Sequence, residues 1–115
     1  MTRTPDNDET PFLFYCDMLA LSREQRTAHR ELIGQLFGGL VEETRELPDG
    51  YAYRFAGEHE PLLANFITNE RLCCPFLSFR LDVAPERGPV WLQLTAPGDV
   101  KAFLREELGH YASPR

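Results

Sequence analysis

Residues 69–83 read NERLCCPFLSFRLDV, and the change of period inside them decides the fold. Upstream, Glu60-Pro61 opens a helix with proline at a first-turn position, where its missing N–H costs nothing. Leu62, Leu63, Phe66 and Ile67 recur at helical spacing and form its apolar stripe. A proline disfavours helical backbone in the residue before it, so Pro75 should end this helix near Cys73. Beyond it Leu77, Phe79, Leu81 and Val83 alternate with Ser78, Arg80 and Asp82, the period-two pattern of a half-buried strand. Pro85 to Pro89 turns the chain and VWLQLT runs back as the second strand of a hairpin.

The same text occurs earlier. Ser22 followed by Gln25 makes a capping-box start, and Ala28, Leu32, Ile33, Leu36 and Phe37 keep helical spacing up to a Gly38-Gly39 stop. LVEETREL, the turn Pro48-Asp49-Gly50 and YAYRF form a first hairpin, and Pro97-Gly98-Asp99 starts a last helix carrying Val100, Phe103, Leu104 and Leu108 up to Gly109. The order helix-hairpin-helix-hairpin-helix predicts an α+β fold: an antiparallel sheet of about four strands from two hairpins, with helices mainly on one face. Leu77, Phe79, Leu81, Val83, Val90, Leu92 and Leu94 should face the helices, and Arg80, Asp82, Trp91 and Gln93 the other side. Gly38-Gly39 holds the place in the first unit that Cys73-Cys74 holds in the second, which points to an internal duplication. Residues 1–11 and 111–115 read as tails, 12–110 as one domain, and the apolar run at 12–21 as an irregular arm or short turn packed on the body.

The formal charge of −6, with Lys101 as the only lysine, works against binding a phosphate backbone, so nucleic acid is not an expected partner. No stretch is long and apolar enough to cross a membrane. The opening MTRTPDNDET lacks the basic-then-apolar layout of a secretory signal, which predicts a cytoplasmic protein whose cysteines are thiols.

Helical counting links Leu63, Phe66, Ile67, Glu70 and Cys74 by steps of three and four, and likewise Phe66, Glu70 and Cys73. Glu70 therefore shares the apolar face, where a carboxylate is costly unless paired or ligating. Either it pairs with an arginine such as Arg26 or Arg54 or sits at the helix edge, or Glu70, Cys73 and Cys74 line one small pocket. His29, three and four residues before Leu32 and Ile33, lies on the corresponding face of the first helix.

Three readings of the cysteines follow. A soft metal ion such as Hg(II), Cd(II), Zn(II) or Cu(I) would take Cys73 and Cys74, splayed by a helical and an extended residue, with Cys16 as third ligand and Glu70 and His29 as supporting or auxiliary groups. A thiol enzyme or redox protein would use one cysteine as nucleophile with Glu70 as base, against which stands the negative end of the helix, which raises a thiol pKa; Arg71 points elsewhere, and a disulfide between neighbours is strained, which leaves a disulfide with Cys16 open. In the third reading the cysteines fill core space in an interaction or structural module. Metal binding for sensing, delivery or sequestration leads, and enzyme activity is not favoured. Trp91, beside mixed polar groups on the outer face, suggests homodimerisation through the sheet, or else a ring lying flat under an arginine.

ERLCCPFLSF, with ELPDGYAYRF upstream and GPVWLQLTAPGDVKAFL downstream, resembles a group of small, largely uncharacterised bacterial proteins with a Glu-Arg-x-Cys-Cys-Pro-Phe-Leu-x-Phe core. Similar text lies behind the DNA-binding domain of some mercury-regulator (MerR) type heavy-metal-responsive regulators. The resemblance spans roughly residues 14–108. It implies handling of soft metals through Glu70, Arg71, Cys73 and Cys74, with Cys16 and His29 alongside. It leaves no room for a helix-turn-helix ahead of the similar region, so a freestanding metal-binding or metal-delivering domain is expected.

Overall fold

The computed structural model describes residues 17–109. Three α-helices, α1 (Arg23–Gln35), α2 (Glu60–Cys73) and α3 (Val100–Gly109), alternate with two hairpins, β1 (Glu43–Leu47) with β2 (Gly50–Phe55) and β3 (Ser78–Val83) with β4 (Val90–Thr95). Among the described residues the strands form one antiparallel sheet in the order β1-β2-β4-β3. The hairpins therefore meet through their second strands. Tyr51 faces Leu94, Tyr53 faces Leu92 and Phe55 faces Val90, so the inward side chains of both hairpins lie opposite one another. Gly50 sits so close to β4 that a Cβ there would collide with the Leu94 carbonyl. The fold is the α+β arrangement expected from the alternation.

Each boundary has a local cause. Ser22 Oγ accepts from the Gln25 N–H at 3.1 Å and Gln25 Oε1 accepts from the Ser22 N–H at 2.8 Å, the reciprocal cap that starts α1. Gly38-Gly39 does not stop the helix. Leu36–Leu40 continue as a π-type turn, closed by the Val41 N–H donating to the Leu36 carbonyl at 3.0 Å, and β1 begins later than the apolar text suggested. A short 3-10 turn, Gly57–His59, leads into α2 and was not legible in the sequence. The expected arm falls partly at residues 12–16, outside the described residues, as do both proposed tails; its remainder includes the 3-10 turn Met18–Ala20.

The core lies between the helices and one sheet face, where Phe55, Phe66, Leu36, Leu63, Leu92 and Leu94 are fully buried. At about 25 cal/mol per Å² of apolar surface, each such side chain contributes roughly 1.5–3 kcal/mol. Phe66 is the hub, against Phe37 at 5.4 Å and Phe79 at 6.4 Å between ring centres. Val83, expected inside, is 56 % exposed, because it ends the edge strand β3 where the helices no longer cover the sheet. Trp91 on the outer face is half-buried beneath Arg45, whose guanidinium carbon sits 4.4 Å from the ring centre. That is the flat ring under an arginine, not a bare patch. No helix among the described residues is long and apolar enough to cross a membrane.

Candidate metal centre

Two helices build the site. α1 turns His29, Leu32 and Ile33 inward, and α2 turns Leu63, Phe66, Glu70 and Cys73 toward them. His29 and Glu70 are each 1 % exposed, the two buried polar or charged residues of the described chain. They satisfy one another, with His29 Nε2 2.6 Å from Glu70 Oε1. One proton lies between Nε2 and the carboxylate, the donor being set by the tautomer. Nδ1 is left buried without a hydrogen-bond partner. The ring is held from the side by Phe66, stacked at 5.7 Å and 20°.

Cys73 follows Glu70 by three residues, on the same helix face. Its Sγ lies 3.7 Å from the Glu70 carbonyl and 3.9 Å from Glu70 Oε1, and it is fully buried. Pro75 has the expected effect: Cys74 leaves the helix at φ −128°, ψ 73°, its N–H still donating to the Glu70 carbonyl at 2.7 Å. The two sulfurs are consequently 3.9 Å apart. The chain ahead of α1 crosses this helix end, where the Asp17 N–H donates to the Cys73 carbonyl at 2.6 Å and satisfies one of the groups a helix terminus leaves open.

Burial, and after it the Glu70 charge, pushes the Cys73 thiol up to about 12. At neutral pH it is an S–H out of reach of solvent, the reverse of an activated nucleophile. A cation in the same space inverts this balance, because it favours the thiolate, the carboxylate and the unprotonated imidazole together. One ligand atom from each of His29, Glu70 and Cys73 lies within 4.8 Å of the others. Four donors around a zinc-sized ion stand about 3.5 Å apart, given metal–ligand lengths near 2.0–2.3 Å. The carboxylate–sulfur separation is close to that, and His29 and Glu70 need only part by about 1 Å when a metal replaces their shared proton.

Glu70 pairs with His29, which corrects the expected pairing with Arg26 or Arg54, and the pair borders the Cys73 thiol. Cys16, the expected third ligand, lies outside the described residues. Cys73 is a free cysteine, whereas Cys74 is disulfide-bonded, so the expectation that every cysteine is a thiol does not hold. The orphan Nδ1 and the Phe66 stack were beyond sequence reading, since both depend on the α1–α2 contact. No protein-family model, curated protein or solved structure matches the chain.

Proposed function

We propose that the protein binds a soft or borderline metal ion between α1 and α2, with His29, Glu70 and Cys73 as ligands and the Cys74 sulfur as a fourth donor once it is reduced. The observation that carries this reading is the convergence of an imidazole, a carboxylate and a thiol in an otherwise apolar core. A mixed nitrogen, oxygen and sulfur set suits Zn(II) or Cd(II), and a second sulfur shifts the preference toward Cd(II) and Hg(II). The likeness of ERLCCPF to the tail of mercury-regulator type proteins points the same way. Sensing, delivery and sequestration all need this first step, capture of the ion. The Cys73 thiol gives up its proton on binding, so affinity should rise with pH.

The experiment is native mass spectrometry of reduced, chelator-free protein before and after one equivalent of Zn(II), Cd(II) or Hg(II). A single adduct is expected in the parent and its loss in Cys73→Ser and His29→Phe. The rival reading, a structural module with a self-sufficient His–Glu pair and a core thiol, is favoured by the 2.6 Å contact and the buried sulfur. Its signature is the absence of any adduct, with Cys73 labelled only on unfolding.

A further inference from the structure

Away from the cysteines, α3 and the first hairpin leave a cleft of about 300 Å³. Phe37, Val41, Tyr53, Leu104 and Leu108 make its walls, and Thr44, Tyr51 and Arg105 bring polar groups to it. Apolar walls with a few convergent polar groups, at the small end of the usual volume range, describe a small-molecule site. Arg105 Nη1 donates to the Tyr51 hydroxyl at 2.7 Å, which leaves the Tyr51 proton and the other guanidinium N–H groups free to donate elsewhere. Tyr53, 7 % exposed, lies beside it with ring centres 6.2 Å apart. Burial holds the Tyr53 phenol well above its ordinary pKa, so it stays an O–H donor. Of the acids at this end, Glu46 is held by Lys101 at 2.7 Å, while Asp99 and Glu46 act on Arg105 only through space. The cation at the cleft is thus hydrogen-bonded to a phenol oxygen and not to a carboxylate. A guanidinium and phenol hydroxyls beside an apolar slot complement a carboxylate carried on an apolar body.

We propose that this cleft binds a small aryl or short-chain alkyl carboxylic acid, its carboxylate on Arg105 and Tyr51 and its apolar part between Phe37, Tyr53 and Leu104. The site is independent of the metal reading. Phe37, which also packs on Phe66 beside His29, is the one wall residue in ring contact with that region. The test is a titration of the full chain with 3-phenylpropionate, 3-phenylpropanol and 3-phenylpropylamine, followed by backbone amide shifts. The acid should give saturable shifts at Val41, Thr44, Leu104 and Leu108 and bind about tenfold or more tightly than the alcohol, the increment of a charged hydrogen bond. Arg105→Met, a change at an exposed position, should erase that preference while leaving the melting temperature and the weak alcohol binding in place. Repeating the titration on Cys73→Ser should give the same acid affinity, whether or not a metal binds the parent. The proposal is overturned if the acid causes no saturable shift at the cleft, if the alcohol or amine binds as well as the acid, or if Arg105→Met keeps the preference.

Discussion

The junction between α1 and β1 and the junction between α2 and β3 occupy the same place in the two helix–hairpin units, yet they are built in opposite ways. At the first, Gly38-Gly39 lets the helix run on into a π-type turn, Phe37 packs into the core and no charged group is buried. At the second, Pro75 stops the helix abruptly and Cys73, Cys74 and Glu70 are all buried at its end. The polar partner that makes this tolerable, His29, comes from the first unit. One unit thus spends its junction on continuity and the other on a buried polar cluster, and the cluster exists only because the units pack together. A buried ionisable pair is seldom a net source of stability, so the first junction, which buries none, is the cheaper design.

Removing the acid should have the largest effect. Glu70→Ala strips His29 of its partner in a dry site and should lower metal-free stability by about 3–5 kcal/mol in urea unfolding, whereas Glu70→Gln, which keeps an acceptor, should cost about 1–2 kcal/mol. If Glu70→Ala proves nearly neutral, the second junction is no more constrained than the first.

The alkaline limb of stability tests the thiol. The folded pKa of Cys73 is raised to about 12, above the unfolded value near 8.5–9, so the folded state resists deprotonation. The associated stability is complete below about pH 8.5 and is lost as pH climbs toward 12. Cys73→Ala should flatten unfolding free energy across that window relative to the parent; an unchanged slope would show that the sulfur is not desolvated. The smallest effect belongs to the first junction. Gly39 is exposed and a Cβ there meets nothing within 4 Å, so Gly39→Ala should be neutral or stabilise by about 0.5–1 kcal/mol. A loss of more than about 1 kcal/mol would mean that the glycine pair is a constrained hinge.

Much of this is legible along the chain because it is local. The Ser22–Gln25 cap, the proline stop after Cys73 and the alternation of β3 and β4 are all written within a few residues, and helical counting alone puts Glu70 on the core side. Tertiary matters were not legible. The pairing of His29 with Glu70 spans 41 residues and depends on how α1 crosses α2. The same counting that flagged both residues could not choose between an arginine and the histidine. Two glycines read as a stop because their intrinsic helix propensity is poor, but Leu36, Phe37 and Leu40 pack on the core and carry the helical turn through them. The cleft escaped notice for a similar reason: Tyr51 and Arg105, 54 residues apart, read separately as a strand residue and a helix surface residue.

The metal site proposed at the buried cluster has sulfur among its ligands. X-ray absorption at the zinc edge of the reduced protein, loaded with one equivalent of Zn(II) and freed of excess by gel filtration, tests it most directly. Retained zinc is expected, with a sulfur scatterer at about 2.3 Å alongside nitrogen or oxygen at about 2.0–2.1 Å, and with loss of the sulfur shell in Cys73→Ser/Cys74→Ser. Zinc that washes away, or a retained ion with a purely nitrogen and oxygen shell, would contradict it and leave Cys73 as a core residue beside a self-contained His29–Glu70 pair.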